Sequence, residues 1–132
     1  MTETFSYAVF RHKTDAPHWD LFVTSGDGRA MHWIVPSGIP VEEKDKRLAV
    51  GGSAPEDIPE GVPGECAYGD GYGRGEAEPW DRGACTIEMS NKIKMVLSVG
   101  GERMRGKYLF IIPAWGRWTE KRLWVIEKIG PA

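Results

Sequence analysis

Three side chains able to bind a metal or a phosphate lie close together near the start of the chain: His12, His18 and Asp20, in the pattern His-x5-His-x-Asp. Imidazole nitrogen and carboxylate oxygen are donors that manganese, zinc and related divalent ions accept, and a rigid sheet can hold such donors in place. In an extended segment alternate side chains share a face, so His18 and Asp20 project together while Trp19 and Leu21 project the other way, toward a core. His12 would end the preceding strand and reach the same spot across the Lys13–Pro17 turn. The third and last histidine, His32, precedes Trp33 in an apolar run and reads as a structural or surface histidine.

The elements that must position these groups are strands. Candidate strands are Phe5–His12, His18–Thr24, Ala30–Val35, Leu48–Val50, Cys85–Met89, Lys92–Val99, Lys107–Ile112 and Leu123–Lys128. They are short, rich in β-branched and aromatic residues, and separated by Gly, Pro and Asp. Asp27-Gly28 and Gly100-Gly101 are hairpin signals. No window sustains a helical period, although Pro40–Lys44 could form a turn or two of helix with Pro near its start. Many short strands with regular turns predict an all-β fold, a small closed or nearly closed antiparallel barrel with little helix. Gly51–Pro79, with eight Gly and four Pro, reads as one long connection of the kind that is usually functional or disordered.

The 132 residues form a single expected domain, 1–132, long enough to bury a core without disulfides. Six Trp supply large apolar area, each with one N–H to satisfy. Cys66 and Cys85 form no CxxC or zinc spacing and read as free thiols. No apolar run reaches membrane-spanning length and the first residues carry no apolar signal core, so the expected location is cytoplasmic. The net charge of −2 excludes a generally basic nucleic-acid binder, but the charge is uneven. Residues 1–90 hold 8 Lys/Arg against 16 Asp/Glu, and residues 91–132 hold 9 against 3. A basic C-terminal third suggests a surface facing a polyanion, with Arg103, Arg105 and Lys107 on one hairpin as the candidate nucleic-acid contacts.

Several blocks, in order over roughly residues 7–128, give the chain a resemblance to a known family. His12 followed by His18-Trp19-Asp20 looks like its opening motif. Trp33-Ile34-Val35-Pro36-Ser37-Gly38 looks like its Trp-x-Val-Pro-Lys-Gly block. Asp45-Lys46-Arg47-Leu48-Ala49-Val50, Tyr72-Gly73-x-Gly75, Trp80-Asp81-Arg82-Gly83 and Gly101-Glu102-Arg103-Met104-Arg105-Gly106-Lys107-Tyr108 are similar to the blocks that follow, and Leu123–Lys128 fits the last strand. The chain thus resembles the 3′-phosphoesterase domain of bacterial DNA ligase D and its free-standing relatives. The resemblance implies a compact β-barrel that trims 3′ ends of DNA or RNA before ligation, using manganese, with zinc or cobalt as alternatives. It implies that His12 and Asp20 are metal ligands, that His18 contacts the scissile phosphate and that Arg47 is a second phosphate contact. The implied partners are DNA or RNA 3′ ends and a separate DNA ligase, with no membrane, and the chain is expected to be a monomer.

Three positions depart from the family pattern. Phe22 stands where the family has an Arg, Ser37 where it has a Lys, and Ile58 where it has a metal-ligating His. No third protein ligand is identifiable, Glu56 and Asp57 being the nearest oxygen donors. Two functions follow: a divergent metal-dependent 3′-phosphoesterase weakened by these losses, or a catalytically impaired module that binds nucleic acid or a repair partner.

Overall fold

The structure, a computed structural model, describes residues 4–13, 17–24, 30–52, 65–66, 75–91, 93–114 and 123–131. These contain nine strands: β1 Thr4–Lys13, β2 His18–Thr24, β3 Ala30–Val35, β4 Lys46–Gly52, β5 Glu65–Cys66, β6 Gly75–Ser90, β7 Lys94–Gly100, β8 Arg105–Ile111 and β9 Leu123–Gly130. Every pairing is antiparallel. The order β1-β2-β3-β4-β9-β8-β7-β6 closes on itself because β1 also pairs with β6, giving an eight-stranded barrel with β5 attached outside that ring to β6. The expected all-β barrel is therefore observed, and no α-helix occurs among the described residues. Equally, no helix among them is long and apolar enough to cross a membrane.

Alternation fills the barrel. Met95, Leu97 and Val99 of β7 point inward beside Tyr108 and Phe110 of β8, and meet Val9, Leu21, Val23, Trp33, Val35, Ala49 and Ile126. Such interior packing is what a small barrel needs in place of a lumen. β2 departs from simple alternation, because His18, Asp20, Leu21, Phe22 and Val23 are all buried. Leu21 and Val23 belong to the interior, whereas His18, Asp20 and Phe22 belong to a second buried layer on the outer face of β1–β3, with Phe10, His12, His32 and Ile34.

Two expectations are corrected. Pro40–Lys44 forms no helix. Lys44 takes a left-handed backbone, φ 72°. Its N–H bonds the Lys128 carbonyl at 2.8 Å, and Asp45 N–H closes a turn on the Glu42 carbonyl at 3.1 Å. Backbone pairing to β9 thus replaces the intrahelical bonds that a helix would need. The long connection is also shorter than Gly51–Pro79, since Gly75–Pro79 begins β6 and Glu65–Cys66 forms β5. Cys85 is a buried free thiol, pushed up to about 11 by burial. The Asp27-Gly28 turn, Glu56, Asp57, Ile58 and Tyr72-Gly73 lie outside the described residues.

Candidate metal centre

Register brings the chemistry together. His12 is the direct partner of His18 across β1–β2, and Phe10 is the partner of Asp20. Side chains of opposed residues share a face, so His12, His18 and Asp20 all project from the outer side of the barrel wall. Their side chains are completely buried there.

The donor atoms form a nearly equilateral triangle. His12 Nδ1 lies 3.2 Å from His18 Nε2. Asp20 Oδ2 lies 3.1 Å from each of these nitrogens. Despite this, Oδ2 has no hydrogen-bond donor of regular geometry. A buried carboxylate oxygen is costly to leave without a partner. Three facial positions around a six-coordinate ion with bonds of about 2.1–2.2 Å lie about 3.0–3.1 Å apart, and a tetrahedral ion with bonds of about 2.0–2.1 Å would spread them to about 3.3–3.4 Å. Edges of 3.1–3.2 Å could hold a divalent ion of either geometry, and two imidazoles with one carboxylate suit such an ion chemically.

Asp20 is held from its other side by His32, which from sequence reads as a structural or surface histidine. His32 Nε2 meets Asp20 Oδ1 at 2.7 Å. Since β3 pairs with β2 so that His32 opposes Phe22, His32 joins the same outer face. Its ring stacks on Phe22, centroids 4.4 Å apart and planes 15° apart. Burial works to raise the Asp20 carboxyl, but its contacts with His18 and His32 outweigh burial and hold it below the usual carboxylate range. Period two would have placed His32 and Ile34 on one face. Only the β2–β3 register shows that this face is the one carrying Asp20.

The remaining expected residues stand elsewhere. Arg47 is on β4 opposite the inward-facing Ile126. Its guanidinium donates to the Lys46 carbonyl at 2.9 Å and lies 3.7 Å from Asp45. Ser37 is exposed in the turn that Gly38 N–H closes on the Val35 carbonyl. Arg103 lies over the Trp80 ring at 5.6 Å. Arg105 and Lys107 are exposed on the outer side of β8, and Lys107 pairs with Glu88 at 3.3 Å. β8 is four strands from β2 in either direction round the barrel, so these two cations occupy the wall opposite the triangle.

Residues 10–112, a stretch that includes all three corners of the triangle, match the DNA Ligase D 3'-phosphoesterase domain. The chain belongs to that family. It is similar to the multifunctional non-homologous end joining protein LigD of Mycobacterium bovis, 29% identical over 124 residues, covering 89% of this chain and 16% of that protein. It is also similar to the LigD of Pseudomonas aeruginosa, 32% identical over 118 residues, covering 83% of this chain and 14% of that protein. The chain thus spans about one-sixth of the length of these curated relatives. In this chain the Asp20 carboxylate is flanked by the imidazole of His32, and the ring of Phe22 stacks on that imidazole.

Proposed function

We propose that this chain is a divalent-metal-dependent 3′-phosphoesterase that heals 3′ ends of DNA or RNA ahead of ligation in end joining. The observation that carries this reading is the convergence of His12 Nδ1, His18 Nε2 and Asp20 Oδ2 at 3.1–3.2 Å in a chain of this family. In this reading His12, His18 and Asp20 hold the ion, with His18 taking the place of the ligand absent at Ile58 rather than touching the phosphate. When bound, a divalent ion supplies positive charge against the phosphoryl oxygens and lowers the pKa of water. Manganese accepts these donors, with zinc or cobalt as alternatives.

The protein's own part is binding and exclusion of water. A groove of about 690 Å³ runs over the outer side of β1, lined by Ser6, Ala8, Phe10, Thr24, Pro79 and Arg82 among others. Phe10 is the register partner of Asp20, so the groove borders the strand pair that carries the triangle, although none of the three donors lines it. Arg82 projects to the same side as Ala8, its partner across β1–β6, and a guanidinium there would meet a phosphate through paired N–H groups. Overall, the phosphomonoester and water yield a free 3′-hydroxyl and inorganic phosphate, with the P–O bond to the sugar broken. Arg47 as a second phosphate contact belongs to the same proposal.

The complete burial of the three donor side chains favours a second reading. There the centre is closed, and the domain binds nucleic acid or a repair partner without turnover. One assay separates the two. A recessed primer-template with a 3′-phosphate, or with a terminal 3′-ribonucleotide, is incubated with the full chain with and without manganese. Phosphate release that requires the metal and disappears in Asp20→Asn supports the enzyme. Retained metal and oligonucleotide binding with no release supports the binding module.

A further inference from the structure

We infer that His32 is a positioning residue for the metal centre, working through Asp20, and that Phe22 serves His32 in the same task; this rests on the metal reading above. A carboxylate has two oxygens, and a ligand carboxylate must be fixed about its last torsion to keep one of them aimed at the ion. Here the two oxygens are divided. Oδ2 faces His12 and His18, and Oδ1 is taken by His32 Nε2 at 2.7 Å. Between a nitrogen and a carboxylate oxygen this close, the proton sits on the nitrogen, so His32 donates and its tautomer is set by the bond. Burial strengthens the bond, since both side chains are fully excluded from solvent and no water competes for Oδ1.

The bond at Nε2 fixes one point of the His32 ring, and the orientation of its plane is a separate matter. Phe22 restricts that plane by lying flat on the imidazole, 15° from parallel, and Phe10 meets Phe22 edge-on with centroids 6.1 Å apart. The row Phe10–Phe22–His32–Asp20 is thus a rigid support built from three adjacent strands. Outer partners of this kind are commonly worth about 10–100-fold in metal affinity. The presence of Phe at position 22 is thereby accounted for. It offers a face to a neighbouring imidazole, so that the two residues function as a pair.

The test is manganese affinity of the metal-free full chain, read by electron paramagnetic resonance or calorimetry, beside the thermal midpoint of each metal-free variant. His32→Leu should keep its fold and lose affinity by about tenfold or more, while His32→Gln, which keeps an N–H donor, should lose less, and Phe22→Leu should fall between wild type and His32→Leu. Wild-type affinity in a folded His32→Leu would overturn the inference and leave the metal reading standing. Absence of manganese, zinc and cobalt binding by the wild type would overturn both. Should His32→Leu not fold, the wild type carries the test. Its His32 imidazole N–H should give a protected downfield proton resonance that moves on zinc addition, and a resonance unmoved at saturating zinc would overturn the inference.

Discussion

Phe22 is fully buried between Phe10 and His32, and this determines what a cation at that position would do. The family pattern places an Arg there, and from sequence alone Phe22→Arg should supply a phosphate contact. In the folded protein the same change removes the face that holds His32 and buries a charge beside a carboxylate that already holds His32 through Oδ1 and turns Oδ2 toward His12 and His18. An uncompensated buried charge costs about 3–5 kcal/mol. We therefore expect Phe22→Arg alone to lower the melting temperature by many degrees and to weaken manganese binding, both measurable by thermal denaturation with and without metal. The reverse addition should also show: saturating manganese at about 100 times its dissociation constant should stabilise the wild type by about 2.7 kcal/mol, and a chelator should abolish the gain. At this scale the sequence exposed one part of the site and hid another. His18-x-Asp20 is legible because period two acts within one strand. His32 acts on Asp20 from a different strand, and its role depends on a register that no local pattern specifies.

The β7–β8 hairpin illustrates the same limit one level up. Its loop, 101–104, is drawn onto β6 by one carboxylate. Asp81 accepts the N–H groups of Arg103 at 3.0 Å and Met104 at 2.7 Å, and the Tyr7 hydroxyl at 3.1 Å. Burial would raise the Asp81 carboxyl, but the N–H groups of Met104, Arg103 and Arg82 and the Tyr7 hydroxyl hold it below its ordinary 3.8. A depressed folded pKa contributes stability that is present above the unfolded value and is lost as pH falls through the folded one. The stability difference between wild type and Asp81→Asn should therefore be full at pH 6 and shrink below pH 4, as followed by denaturant melts. Gly101 lies under the same clamp, where a Cβ would run into the Tyr7 hydroxyl and the Asp81 carboxylate. Gly101→Ala should cost about 1–3 kcal/mol for that overlap, whereas Gly100→Ala, where a Cβ meets nothing, should not incur it. Turn residues made this hairpin readable in the sequence. The start of β6 was not readable, because Pro79 sits beside a bulge between Val9 and Phe10 that leaves Trp80 outside the register, and a Pro at a bulge resembles a Pro in a loop.

For the molecule as a whole, the class of fold was legible and the distribution of charge round it was not. Short β-rich runs between turn residues imply a barrel, and the barrel is there. Among the described residues of the basic C-terminal third, alternation sends Arg105 and Lys107 outward on β8, while the His12–His18–Asp20 triangle lies buried on β1 and β2. Arg103, by contrast, turns toward Trp80 on β6, next to β1. If nucleic acid approaches the triangle, Arg103→Ser should reduce the salt dependence of oligonucleotide binding by about one phosphate contact, and Arg105→Ser with Lys107→Ser should leave it nearly unchanged. A salt titration followed by fluorescence anisotropy distinguishes these outcomes. The opposite result would place the nucleic acid on the far wall, away from the chemistry proposed for this domain.

β1 is bonded on both sides, to β2 along Ser6–His12 and to β6 along Thr4–Lys13, and its pairing with β6 closes the ring. It therefore behaves as a keystone that could in principle be supplied from outside. A chain lacking residues 1–13 would present two unsatisfied strand edges together with the apolar surface they frame, a combination that invites self-association. Adding a synthetic peptide of residues 4–13 should return such a chain to monomers by donor-strand complementation, as light scattering would show. Because the peptide carries His12, it would also restore one corner of the triangle, and a split protein of this kind would make manganese binding conditional on strand exchange.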